Sequence, residues 1–244
     1  MKQTQIIMGM PITVEIVNED NQDIFDQVFA YFIQVDNRFS PYKSNSELAE
    51  VNKGLSPDAY SEEMKEVIEL CKQTKQITSG YFDIDKQGKI DPSGLVKGWA
   101  ISNAAKLLKG LGCLNFYIEA GGDIQAEGLN QDHEPWLIGI RNPYNIDEIV
   151  KVIRVSGCGV ATSGAYIRGE HIYNPRNNYQ PPKGISSLSI IAPDIFDADR
   201  FATAAYAMGP KGINLASSIP GFAAYQIDDK QVATYNERFE SYVV

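Results

Sequence analysis

Asp199 and Thr203, four apart in Asp199-Arg200-Phe201-Ala202-Thr203, carry the first suggestion of chemistry. On a helix they share a face. A carboxylate beside a hydroxyl offers the hard oxygens that suit Mg²⁺, a cation that keeps waters and completes its shell from phosphate. The other reading is a surface aspartate and a threonine bonded back to its own helix. The small apolar run from Ala202 to Met208 favours burial, and a buried aspartate needs a partner or a metal.

A second constellation is Asp91-Pro92-Ser93-Gly94-Leu95-Val96-Lys97-Gly98-Trp99. It sets Asp91, Gly94 and Lys97 where an extended segment enters a helix. Amides at a helix N-terminus bind phosphate, and a lysine one turn in neutralises a second charge. The spacing is not that of a P-loop, and a tight turn with an exposed lysine is the alternative. His171 is one of two histidines and is a base suited to neutral pH, or a structural loop residue. His133 lies in an acidic turn and reads as solvated. Gly121-Gly122-Asp123 lets the backbone approach a ligand, or makes a turn. Thr162-Ser163-Gly164 offers phosphate contacts or ends a strand. Ser163 sits in no G-x-S-x-G elbow, so a hydrolase triad lacks support.

These residues need a scaffold of mixed elements. Residues 1–16 read as a strand or strand pair. Ile24, Phe25, Val28, Phe29, Phe32 and Val35 recur at helical spacing. A Ser44-x-x-Glu47 capping box predicts a short helix ending near Gly54. Ser61 predicts the cap of another, with Met64, Val67, Ile68 and Cys71 inward and a stop at Gly80. A helix is expected over about 95–109, with Trp99, Leu107 and Leu108 buried. Strands are expected at 114–119, 123–128, 136–141, 150–155 and 187–192, then helices over about 197–208 and 210–218. Residues 222–227 and 231–235 predict a hairpin, and 171–184 a long loop. No repeat or linker divides the chain, so the expectation is a single compact α+β domain over 1–244, with mixed or antiparallel sheets packed with helices.

Composition narrows the class. Of 244 residues, 43% are hydrophobic and 22% charged, which excludes a coiled coil, a collagen or a disordered chain. Twenty-two basic against 31 acidic residues give −9, which argues against nucleic acid or an anionic membrane as partner. No run approaches the roughly 20 apolar residues of a spanning helix. Cys71, Cys113 and Cys158 form no Cys-x-x-Cys pair, so neither a disulfide framework nor a zinc site is expected. With an N-terminus unlike a signal peptide, the expected compartment is the cytoplasm.

The motifs also occur in a telling order. Met8-Gly9, Phe39-Ser40-x-Tyr42 with Ser46-Glu47-Leu48, and Gly80-Tyr81-Phe82-Asp83 come first. The 91–100 segment, Gly121-Gly122-Asp123, Thr162-Ser163-Gly164, His171-Ile172-x-x-Pro175 and Ala198-Asp199-x-x-x-Thr203 with Met208-Gly209 follow. Together they resemble the ApbE family, FAD:protein FMN transferases, over nearly the whole chain. The resemblance implies FAD bound with Mg²⁺, transfer of FMN onto a Ser or Thr hydroxyl of an acceptor flavoprotein, and release of AMP. It assigns Met8, Tyr42, Tyr81, Phe82 and Asp83 to the flavin, and Asp91 and Lys97 to other parts of FAD. Gly121, Gly122, Asp123 and Ser163 are further cofactor-site candidates, and Ile172 packs on the cofactor. Asp199, Thr203 and the Gly94 carbonyl hold the metal, and His171 is the base. Three positions depart from the family pattern: Met10 for a common Thr, Ser102 for a frequent Asp, and Asn174 where His-x-x-Asp-Pro is usual. Losing that carboxylate either removes an orienter of His171 or leaves activity intact, if the Asp only shapes the loop. Hydrolysis of FAD to FMN and AMP, and non-catalytic FAD binding, are the alternative functions. The expected acceptor is intracellular.

Overall fold

Met8 and Gly9 both take left-handed backbone, with φ of 56° and 73°. Their turn folds strand β1 (Lys2–Ile7) back antiparallel on β2 (Met10–Ile16), since two left-handed residues match the twist of a tight hairpin. The computed structural model describes residues 1–86, 88–165, 169 and 172–244. After β2 come α1 (Gln22–Phe39), α2 (Glu47–Asn52), α3 (Glu62–Ile77), β3 (Asp85–Lys86), β4 (Lys89–Ile90) and α4 (Ser93–Gly110). The middle of the chain is β5 (Phe116–Ala120), β6 (Asp123–Glu127), β7 (Trp136–Asn142), β8 (Asn145–Val155), β9 (Cys158–Gly164) and β10 (Ser187–Ala192). Helices α5 (Ile195–Ala207) and α6 (Gly212–Ser218), strands β11 (Ala223–Ile227) and β12 (Ala233–Tyr235), and α7 (Glu237–Glu240) complete it.

Among the described residues, eight strands form one sheet in the order β1-β2-β5-β6-β9-β10-β11-β12, antiparallel throughout. Alternate residues of its middle strands face opposite ways. Ala161, Ile190 and Ala224 join the large core under α1, α4 and α5. Val160, Ile191 and Ala223 join a smaller cluster under the β7–β8 ribbon and Phe239. All six residues of β10 are therefore buried. The architecture is α+β, as expected from the sequence. No described helix is long and apolar enough to cross a membrane.

Three local expectations need correction. Ser46, not Ser44, caps α2: its hydroxyl accepts from Ala49 N–H at 3.0 Å and donates to the Ser40 carbonyl. Glu47 does not reach back to close a capping box; it accepts the Ser61 N–H and hydroxyl at 2.7 Å each, tying α2 to the start of α3. Leu107 is only partly buried, at the edge of the core. β9 lies in the middle of the sheet, although Cys-Gly-Val-Ala-Thr-Ser-Gly has little strand propensity. Its small residues answer to packing. A Cβ on Gly159 would lie 2.3 Å from the backbone of Ile195, so only glycine lets the first turn of α5 cross the strand so closely.

Candidate functional site

The first turns of α4 and the middle of α5 meet at a cleft of about 970 Å³, counting its open mouth. The 81–83 segment, Asp91, Gly121, the 162–164 end of β9 and Ile172 supply its other walls. Gly98 makes the helix contact possible. A Cβ there would stand 2.6 Å from Asp199 Cβ and 2.9 Å from the Ile195 carbonyl.

Asp199 is 3% exposed, and its Oδ2 accepts the Gly98 N–H at 2.7 Å. In an α-helix that N–H belongs to the carbonyl four residues back, here Gly94. Asp199 thus competes for the hydrogen that would hold the Gly94 carbonyl. Thr203, one turn on from Asp199, leans on Gly94 itself: a Cβ there would meet Thr203 Cγ2 at 3.2 Å and Oγ1 at 3.8 Å. Asp199 and Thr203 on α5 therefore face the first turn of α4 at Gly94, the three positions that the family resemblance names together.

Lys97 Nζ lies 2.5 Å from Asp123 Oδ2 and 3.6 Å from Asp199 Oδ1. The ion pair with Asp123 falls outside hydrogen-bond geometry. Asp123 is 1% exposed, and its Oδ1 accepts the Thr162 N–H, joining the β5–β6 turn to β9. Burial pushes the Asp199 carboxyl well above its ordinary value; Lys97 opposes this and Asp123 adds to it. Two buried carboxyl groups share one ammonium, and a cation placed beside Asp199 would favour its charged form against the cost of burial. Among the described residues no three His, Cys, Asp or Glu side chains form a metal cage. The available donors are hard oxygens, as Mg²⁺ requires when it keeps waters or takes phosphate oxygens.

Other predicted residues separate into two groups. Tyr81, Phe82, Asp83, Asp91, Gly121, Ser163 and Ile172 line the cleft with Gly94, Lys97, Asp199 and Thr203. Met8, Tyr42, Gly122 and Asp123 are not among its lining residues; Asp123 meets the site through its ion pair with Lys97. Met8 forms the β1–β2 turn and packs on the core. Tyr42 is 95% exposed. Gly122, at φ 95°, gives its N–H to Glu119 Oε1. His171 lies outside the described residues. Ser93, Tyr173 and Pro175 also line the cleft and were missed; the aromatic two places after His171 was the available signal. Asn174 accepts the Arg176 N–H at 2.9 Å and caps the turn at Pro175–Asn177. An aspartate would make the same bond. Asn174→Asp is expected to leave the melting temperature unchanged and activity within about twofold, since Asn and Asp cap alike; a thermal melt and assay of the purified variant check this.

The fold and its buried acid–lysine pocket define an α+β protein with a polar cleft where two helices cross. A profile of the ApbE family matches residues 8–88 and 84–226, and the chain belongs to that family. It is 29% identical over 153 residues to the FAD:protein FMN transferase of Vibrio cholerae, covering 57% of this chain and 46% of that protein. It is 30% identical over 163 residues to the FAD:protein FMN transferase of Treponema pallidum, covering 59% and 45%. The matched parts are thus under half the length of these curated relatives. Among solved structures, the flavin transferase ApbE from Vibrio cholerae superposes with TM-score 0.88 at 20% identity, covering 99% of this chain and 98% of the other. The ApbE protein from Thermotoga maritima gives 0.86 at 22% identity, covering 99% and 98%. These likenesses show the fold.

Proposed function

We propose that this chain is a Mg²⁺-dependent FAD:protein FMN transferase acting on a Ser or Thr hydroxyl of an acceptor flavoprotein. The observation that carries the reading is the convergence of Asp199, Thr203, Gly94 and Lys97 on one cleft, with Asp123 paired to Lys97 behind it, in a chain of this family. FAD is the substrate. The acceptor oxygen forms a bond to the FMN-side phosphorus, the bridging P–O bond breaks, and AMP leaves with its electron pair. The acceptor proton goes to a base, the role assigned to His171. A magnesium ion held by Asp199, Thr203 and the Gly94 carbonyl would supply Lewis-acid stabilisation of charge on the phosphate oxygens. Asp123 orients the Lys97 ammonium toward the same place, where a fixed positive charge favours the transition state. Tyr81 and Phe82 give the wall a flat, apolar surface for the flavin ring. Three buried, unpaired cysteines support a reducing, cytoplasmic home.

The test is intact-mass spectrometry of a candidate acceptor flavodomain after incubation with this protein, FAD and Mg²⁺, with AMP measured in the same tubes. The expected result is a gain of one FMN less one water, matched by AMP, with EDTA abolishing both. Metal-dependent AMP without an adduct would make the protein an FAD pyrophosphatase. Tight FAD binding with neither product would make it a binding module.

A further inference from the structure

The segment after Ile172 closes on itself. Asn174 N–H donates to the Gln180 carbonyl at 2.8 Å, and Tyr179 N–H to the Asn174 carbonyl at 3.1 Å. Closing it puts Asn178 and Tyr179 in left-handed backbone, with φ of 49° and 57°. For a bulky aromatic residue that conformation is a genuine outlier, held only when the surroundings demand it. What Tyr179 gains there is a contact outside its own loop: its hydroxyl donates to the Asp85 carbonyl at 3.0 Å. Tyr173 repeats the bond one step away, donating to the Asp83 carbonyl at 3.0 Å. The two rings pack 5.3 Å apart, and Lys86 Nζ lies 4.7 Å from the centroid of Tyr173. From the far side, Asn52 accepts the Ile90 N–H and donates to the Ile90 carbonyl, so the β3–β4 hairpin is pinned at both ends.

We propose that Tyr179 is a positioning residue which, together with Tyr173, locks the 174–180 loop onto the β3–β4 hairpin and so sets the spacing of two cleft walls for FAD. One wall is Tyr81–Asp83, which leads into the hairpin; the other is Ile172–Pro175, which leads into the loop. Tyr179 itself does not line the cleft, so its influence passes through the walls. Burial, with nearby acidic side chains, pushes the Tyr173 hydroxyl up to about 12, which keeps it a donor throughout the working range. The proposal rests on the FAD-site reading above and deepens it.

Tyr179→Phe removes the hydroxyl and keeps the ring. Its FAD dissociation constant by calorimetry is expected to rise about 3- to 10-fold, the worth of one ordinary hydrogen bond. The rate with saturating FAD should stay within about twofold and melting within about 2 °C, since few contacts are lost. Amide exchange should quicken in the hairpin and the loop and nowhere else. Asn178→Gly, which accepts the left-handed backbone freely, should bind FAD as the wild type does. Unchanged affinity and exchange in Tyr179→Phe would overturn the lock. Equal loss of affinity in Asn178→Gly would do the same, because the hydroxyl would not be what matters. Wild-type protein that binds FAD without transferring FMN would sink the transferase reading and leave the lock standing. If wild type binds no FAD, unchanged hairpin exchange in Tyr179→Phe sinks the lock, and faster exchange there keeps it as a clamp between the walls.

Discussion

Asp199→Asn is expected to lower FMN transfer by about 10³-fold or more while the protein keeps its fold. The loss follows from charge. A metal ion's transition-state stabilisation is worth several kcal/mol, and about 4 kcal/mol corresponds to roughly a thousandfold in rate. An amide oxygen at position 199 still accepts the Gly98 N–H, so the α4–α5 contact survives. Lys97 retains Asp123 at 2.5 Å and is not left as an orphaned buried cation. The metal-free variant should therefore melt at or slightly above the wild-type temperature, because a neutral side chain no longer bears the desolvation that Asp199 suffers. Calorimetric titration with Mg²⁺ should show the binding step lost. Melting in EDTA and single-turnover transfer complete the comparison. Wild-type transfer by this variant would remove Asp199 from the metal site.

That expectation draws on residues the sequence displays, and the reason is local. Asp199 and Thr203 are four apart on one helix, and Gly94 and Lys97 lie at the start of another, so each pair is suggested by spacing, while the roles of Gly94 and Lys97 come from the family resemblance. What joins the halves is tertiary. Nothing in the sequence pairs Lys97 with Asp123, 26 positions on, or aims the Gly98 N–H at a carboxylate 101 residues away. The same division runs through the fold. The apolar stripe from Ile24 to Val35 shows α1 because all six of its residues are buried at helical spacing. β9 is hidden because its glycine and alanine suit the helix crossing it, while strands are recognised by branched and aromatic side chains. The cap of α2 is missed by two residues: two serines compete there, and Ser61 takes the glutamate that would have chosen between them. Tyr173 and Tyr179 read only as residues of a proline- and asparagine-rich loop, since their partners are main-chain carbonyls about 90 positions earlier.

Gly98→Ala tests whether the helix contact, and not the carboxylate alone, builds the site. In an isolated helix the change would gain about 0.8–1.0 kcal/mol. Here the new Cβ would sit 2.6 Å from Asp199 Cβ and 2.9 Å from a main-chain carbonyl. Neither is the movable tip of a side chain, so α4 and α5 must part. Overpacking of this kind costs about 1–3 kcal/mol, and weakening the buried bond from Gly98 N–H to Asp199 adds about 1–3 kcal/mol. The penalties win, leaving a net loss centred on about 3 kcal/mol, or roughly 6–12 °C in a chain of this size. Activity should fall further than stability. Asp199 and Thr203 ride on one side of the parted contact, Gly94 and Lys97 on the other, and a shift near 1 Å costs about 10²-fold in rate. Gly110→Ala is the control in the same helix: its Cβ would meet nothing within 4 Å, so the propensity gain stands unopposed. Thermal melts and transfer rates measured below both transitions separate the effects. If Gly98→Ala matches Gly110→Ala in both, the close approach of α4 to α5 is not what assembles the site.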